Sequence, residues 1–427
     1  MARNRTTLGL TTVLILLMGA AASAQGLRDM QIFATVDQSR YGGGYRPSEG
    51  YFFAFDGLVW SMSPPDGTDV GREGLTRNVV FVPDGGYDTA TLVYPLPTTV
   101  ESSSLHTGAF EAEWTGGQRY DFGYITGHHG WYFSAFRLQD VNQDIYGSDA
   151  SVVFEDAPIG LPIPALDPSG AADNITTRLQ GYVDDGLTTY ANLPATFDAL
   201  TVRNEVHTWG AEWNYIYRAH PGHHGGIFEW MLGVRYLEFE ELFDVFGEQP
   251  GDDDAAAADP VAPTYLDESF WTTTADNHII GGQLGLRWFR RQNRWTWEVQ
   301  GRFFAGYNAQ SINQRAVLGS NLALLQTSPT TPGVPVKLTS TIRTESEYNT
   351  EEWSPNGELR IILKYQLARS ITGRVGWTGM WLNGIARPSN MVDYSLRSDG
   401  SVFGILQQNN TQDVFINGLT FGVDVNW

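Results

Sequence analysis

The sequence predicts an all-β chain: an up-and-down antiparallel transmembrane β-barrel of about ten strands, with twelve as the alternative. Three observations carry that prediction. Segments of strict apolar/polar alternation, each about ten residues long, recur along the chain. The connections between them are long and short in turn. Aromatic residues make up 13% of the chain, with 14 tryptophans, although the mean hydropathy is only −0.25. An aromatic-rich chain that is not hydrophobic overall suits a sheet with one apolar face, one polar face and aromatic girdles at two interfaces.

The first residues, MARNRTTLGLTTVLILLMGAAASA, set Arg3 and Arg5 before an apolar core and Ala22-Ser23-Ala24. This is the pattern of a secretory signal peptide, residues 1–24, with Gln25 as the mature start. Residues 25–50 then form a periplasmic N-terminal segment, and 51–427 the barrel. No later stretch approaches the ~18 apolar residues of a membrane helix. The chain has no cysteine, so export proceeds without a disulfide framework.

Ten strands follow. Successive side chains of a strand point to opposite faces, so each alternating segment separates two faces by parity. YFFAFDGLVW (51–60) is apolar on both faces, and QRYDFGYIT (118–126) places Arg119 and Asp121 on its polar face. GWYFSAFRLQ (130–139) is a strand whose outward face the pattern leaves open. In HTWGAEWNYIYR, Trp209, Ala211, Trp213, Tyr215 and Tyr217 oppose Glu212, Asn214 and Arg218. In IFEWMLGVRYLEFEE, Phe228, Trp230, Leu232, Val234 and Tyr236 oppose Glu229 and Arg235. IIGGQLGLRWF sets Ile280, Leu284, Leu286 and Trp288 against Gln283 and Arg287. RWTWEVQGRFFAGY sets Trp295, Trp297, Val299, Phe303 and Tyr307 against Glu298, Gln300 and Arg302. GELRIILKYQL sets Leu359, Ile361, Leu363 and Tyr365 against Glu358, Arg360 and Lys364; SITGRVGWTGMW sets Ile371, Val375 and Trp377 against Arg374.

The last segment, LTFGVDVNW, sets Leu419, Phe421, Val423, Val425 and Trp427 against Thr420, Gly422, Asp424 and Asn426. A membrane barrel must pair its last strand with its first, because an open edge in lipid leaves backbone groups unsatisfied. The five apolar residues are therefore the predicted C-terminal signal read by the outer-membrane assembly machinery.

Four connections are short: TGHHG (126–130), AHPGHHGG (219–226), RRQN (290–293) and AR (368–369). Five are long: 63–117, 142–203, 244–275, 309–354 and 385–414. Short periplasmic turns, long extracellular loops and an even strand number characterise bacterial outer-membrane barrels. A hairpin within 70–117 or 309–354 would raise the count to twelve. Without the leader and its two arginines the net charge of −21 becomes −23, and it resides on the long segments, while the strands, turns and N-terminal segment balance. That acidity argues against nucleic acid as a partner and favours divalent cations at the outer face. The polar faces predict a lumen lined by Arg218, Arg235, Arg287, Arg302, Arg360, Arg374, Glu212, Glu229, Glu298 and Asp424, opposed charges that can pair across strands.

GAEWNYIYR (210–218), LGVRYLEFEE (232–241), GMWLNGIARP (379–388) and VFINGLTFGVDVNW (414–427) together resemble the Putative beta-barrel porin 7 family of bacterial outer-membrane proteins. The likeness spans roughly 51–427. It implies an integral outer-membrane barrel in contact with outer-membrane lipid and, by the family's name, a pore. It supplies no catalytic residue.

Other constellations are weaker. GHHG occurs twice, offering His128, His129, His223 and His224, with His220 close by; polar turn residues are the simpler reading, and no metal or cofactor is predicted. PGDDDAAAADP (250–260) lacks the alternating ligands of a calcium loop. No G-x-S-x-G elbow or phosphate-loop lysine is present, and of the histidines away from the short turns only His106 and His278 come into view. The sequence thus predicts no enzyme. Ten strands with charges reaching inward leave a narrow or closed lumen. The expected function is at most a narrow passive channel for ions or small solutes. The alternative is a surface structural or adhesive protein acting through long acidic loops.

Overall fold

In the computed structural model, residues 50–71, 103–156, 192–221, 226–248, 268–319, 323–328, 331–337, 342–368, 370–396 and 402–426 are described. The leader, nearly all of the 25–50 segment, the acidic stretch 250–260 and Trp427 lie outside them.

The strands are β1 (Gly50–Met62), β2 (Glu113–Thr126), β3 (His129–Leu138), β4 (Val141–Asp156), β5 (Asn192–Arg218), β6 (Gly226–Glu248), β7 (Ser269–Gln292) and β8 (Trp295–Leu318). They continue as β9 (Ala323–Ser328), β10 (Thr331–Lys337), β11 (Ile342–Gln366), β12 (Ile371–Ile385), β13 (Val392–Leu396), β14 (Val402–Ile405) and β15 (Gln412–Asn426). Antiparallel pairing runs β1-β2-β3-β5-β6-β7-β8-β11-β12-β15 and returns to β1, so ten strands close a barrel. The closing seam pairs Phe52 with Asn426 and Met62 with Ile416. Hence no wall strand is left with an open edge in lipid.

Among the described residues the alternation separates an outer face from an inner one. Trp213, Trp230, Leu232, Leu284, Trp297, Phe303, Leu359, Val375, Leu419 and Phe421 are exposed on the outer wall, while their neighbours one residue away point inward and are buried, apart from the half-buried Gly233, Gly376 and Gly422. The undecided strand resolves with Phe133 outward and Tyr132, Ser134 and Phe136 inward. Aromatics band both ends of the apolar belt. Tyr51 against Tyr124 and Trp295 against Tyr365 stand at the short-turn end. Trp209 against Tyr236, with Tyr307 and Trp353, stand at the other.

Two expectations need correction. The strands are not all about ten residues long: β5 has 27, β6 23, β7 and β8 24 each, and β11 25. A barrel strand crosses the bilayer in about 9–11 residues, so these five rise far beyond the apolar belt as a tall wall on one side. Much of 142–203, 244–275 and 309–354 is therefore strand, not loop. Likewise, Arg290 and Arg291 belong to β7, and the β7–β8 turn is Asn293-Arg294, with Asn293 at φ 55°. A hairpin does sit within 309–354, but β9 and β10 pair only with each other, so the wall keeps ten strands.

Beyond the bend at 139–140, β4 continues the line of β3 and pairs with the upper part of β5. The segment after β12 turns inward through a 3-10 turn at Pro388–Asn390 and forms the β13–β14 hairpin. Val392, Tyr394 and Phe403 pack there with Phe197, Phe243, Trp271 and Leu318 of the wall. The described residues of the long connection predicted at 385–414 thus fill the upper barrel.

Candidate functional site

The inward faces of the ten strands build a layered interior. At the short-turn end charged and apolar side chains share the interior: Arg218 and Glu229 pair closest to the turn on β5 and β6, and Phe52, Ile125, Tyr132, Ile216 and Met231 pack beside and just above them. From there a layer of charge extends up the barrel. Nine of the ten predicted lumen residues are buried in it, and Asp424, the tenth, is half-buried.

The charges form chains of pairs. Glu229 accepts from Arg218 Nε at 2.6 Å and also pairs with Arg287. Lys364 Nζ stands 2.9 Å from both Glu298 and Asp424. Arg374 pairs with Asp56, lies 3.0 Å from Asp121 and 2.9 Å from Asp424, and so ties β12 to β1, β2 and β15. Glu358 accepts from Arg235 at 2.6 Å, pairs with Arg360, and has Arg119 and Arg302 each at 3.9 Å. Glu212 pairs with Arg302 and accepts from Gln283 Nε2 at 2.9 Å. Opposed charges attract strongly where water is scarce, and hydrogen-bonded pairing is the condition for burying them.

Several contacts span the interior. Arg302 on β8 reaches Tyr132 on β3 at 3.1 Å, and Arg235 on β6 reaches the sulfur of Met380 on β12 at 3.1 Å. The members of each pair sit four strands apart around a ten-stranded ring.

Above the charges the interior turns apolar. Leu58, Trp60, Phe136, Phe239, Ile279, Phe304, Leu382 and Ile416 pack together there. The guanidinium of Arg119 lies 4.9 Å from the Trp60 ring centre, joining the two layers by a cation–π contact. Higher still, Asn277 and Gln310 donate to the carbonyls of Ala386 and Gly384, and Arg387 holds Glu241 at 2.7 and 2.8 Å. These bonds fasten the inward-folded segment to the wall. In the apolar cap above it, burial raises the pKa of the Tyr394 phenol.

Sequence reasoning missed Asp56, which sits among apolar residues on both faces of β1; its inward parity with Phe52, Ala54 and Leu58 was the available signal. It also missed the Arg387–Glu241 pair, because Arg387 lies in a segment that read as a loop. His207, overlooked among the histidines away from the short turns, bonds Asp140 at 2.7 Å. His278 bonds Tyr236 at 2.8 Å.

Among the weak metal candidates, His128 and His129 occupy the β2–β3 turn and the start of β3, and His223 and His224 lie outside the described residues. Among the described residues no group of three or more His, Cys, Asp or Glu stands ready to hold a metal. Of the predicted C-terminal signal, Leu419, Phe421 and Val423 are exposed on the lipid face and Val425 is half-buried.

The family described as Putative beta barrel porin-7 (BBP7) matches residues 98–427. No curated protein matches the chain. Similar solved structures include the outer membrane protease OmpT from Escherichia coli, 8% identical, covering 91% of this chain and 100% of that one, with a TM-score of 0.42. The toluene transporter TodX of P. putida is 8% identical over 90% of this chain and 91% of its own, with a TM-score of 0.18. Likeness at this level transfers no residue role. It does correct the prediction of no enzyme, which cannot be drawn from this architecture, since OmpT is a protease.

Proposed function

The chain belongs to the Putative beta barrel porin-7 family, and from that premise we propose an integral bacterial outer-membrane barrel with a sealed lumen. It anchors the β-wall that rises beyond the lipid, a surface structural role rather than passage of solutes. One observation carries this reading: side chains from opposite walls meet across the interior, first as the Arg302–Tyr132 and Arg235–Met380 contacts and then as the apolar layer around Trp60 and Phe304. An ion entering from the short-turn end would have to displace paired charges and then cross packed hydrocarbon. Apolar packing leaves no polar group to replace the ion's hydration, so the barrier is one of desolvation.

The deciding measurement is conductance of the purified protein in planar bilayers. A sealed barrel gives no steps above the lipid baseline. A steady ohmic conductance from the unmodified protein overturns the reading and restores the narrow passive channel. Fractionation with the outer membrane tests the location separately.

A further inference from the structure

The short-turn end of the barrel brings two histidine-bearing connections together. Residues 127–128 link β2 to β3, and 219–225 link β5 to β6. β3 and β5 are neighbours, with His129 opposite Tyr217, so register sets the two turns side by side. The rings of His128 and His220 accordingly lie 4.2 Å apart between centres, with their planes tilted by 42°.

The surroundings of His128 fix its chemistry. Its Nδ1 lies 2.8 Å from the carbonyl oxygen of Arg218. A carbonyl can only accept, so Nδ1 carries the proton and Nε2 keeps a free lone pair. The backbone reinforces this, since the Arg218 N–H donates to the His128 carbonyl at 2.7 Å. A ligating histidine is commonly oriented in this way, one ring nitrogen donating to a backbone carbonyl and the other facing the metal. His128 is half-buried and His220 exposed, so one ring is held and the other can turn. Two imidazoles bound to one ion at about 2.0–2.1 Å have ring centres about 5 Å apart. A small rotation of His220 therefore opens the pair to a metal.

We propose that His128 and His220 chelate a divalent transition-metal ion at the short-turn rim, with water in the remaining positions. Two imidazole nitrogens without a carboxylate select borderline metals over calcium or magnesium, and the Irving–Williams order puts Cu²⁺ ahead of Ni²⁺ and Zn²⁺. Bound metal would tie the β2–β3 turn to the β5–β6 turn. The site is independent of whether the lumen conducts.

Calorimetric titration of the full-length protein in detergent with Cu²⁺, in a buffer that does not chelate, tests this. His128→Ala and His220→Ala should each weaken binding by at least the 10–100-fold that loss of a mere outer-shell partner costs. His278→Ala, at the other end of the barrel, should leave it unchanged. Electron paramagnetic resonance of bound Cu²⁺ should show coupling to two nitrogens and lose it in either variant. No Cu²⁺ binding by the unmodified protein overturns the proposal. So does a His128→Ala/His220→Ala double variant that titrates like the parent, which would assign the metal to other groups.

Discussion

Arg302 on β8 donates to the hydroxyl of Tyr132 on β3 at 3.1 Å while pairing with Glu212 on β5, so one side chain joins three walls of the barrel. The arrangement has unequal consequences for neighbouring arginines. Glu212 has no other arginine in hydrogen-bonding contact, whereas Glu358, the partner of Arg235, keeps Arg360 when Arg235 is removed. Stranding one member of a buried pair costs roughly 3–5 kcal/mol. Arg302→Gln should therefore destabilise the barrel by about that much, and Arg235→Gln by distinctly less. Urea unfolding in lipid vesicles, followed by tryptophan fluorescence, gives the ranking. The double variant Glu212→Gln/Arg302→Gln should recover part of the loss; strict additivity would show that the two do not act as a pair.

The closing seam has its own sensitive point. A Cβ on Gly422 of β15 would fall on the carboxylate of Asp56 and the backbone carbonyl of Phe55, both on β1. Asp56 is at the same time held by Arg374 from β12. Gly422→Ala should push Asp56 off its partner and cost about 1–3 kcal/mol, as overpacking does. The loss should appear as less heat-resistant compact barrel on unheated gels. Gly282→Ala is the control, since a Cβ there meets nothing within 4 Å.

The height of the membrane on the wall can be read by two substitutions of like parity. Leu232 faces outward within the apolar belt; Asn313 faces outward on β8 beyond Tyr307. Leu232→Arg should cost about 2–4 kcal/mol near the midplane, and Asn313→Arg should stay within about 0.5 kcal/mol, as for an ordinary surface change. Equal penalties would mean that lipid reaches the tall part of the wall.

That contrast also explains what the sequence could reveal. Inside the belt, lipid demands apolar residues at every second position, so Trp295, Trp297, Val299 and Phe303 announce their strand and its faces. Past Tyr307 the same strand presents Ala309, Ser311, Asn313 and Arg315 to water, and the alternation that marked it disappears although the backbone continues to Leu318. The charged layer was legible because charges on a lipid-crossing strand have only the inside to face. The apolar layer was not, because Leu58, Trp60 and Ile416 break no rule that periodicity can detect. The inward-folded segment was the least legible part. Tyr394 and Phe403 meet Trp271 across more than a hundred residues of chain.

Phe403 gives the last test, because it is held in a conformation it does not favour. Its φ of 71° lies in the left-handed region, where a bulky residue is an outlier. The ring nevertheless stays buried, 4.9 Å from the Trp271 ring, while Trp271 Nε1 donates to the Tyr394 hydroxyl at 3.3 Å. Packing thus outweighs a backbone cost of about 1–3 kcal/mol. Phe403→Ala removes the packing and keeps the cost, a loss of about 3–5 kcal/mol drawn from the hairpin's attachment. Phe403→Gly removes both, so it should damage the hairpin less than alanine does, against the usual order of the two residues. Added protease should cut between β13 and β14 fastest in Phe403→Ala, more slowly in Phe403→Gly and slowest in the parent. The ten-stranded barrel should remain intact in all three, because the hairpin's one pairing with the wall is the short β13–β4 contact, outside the ten-strand ring. Loss of the barrel together with the hairpin would show that the inward-folded segment supports the wall instead of merely filling it.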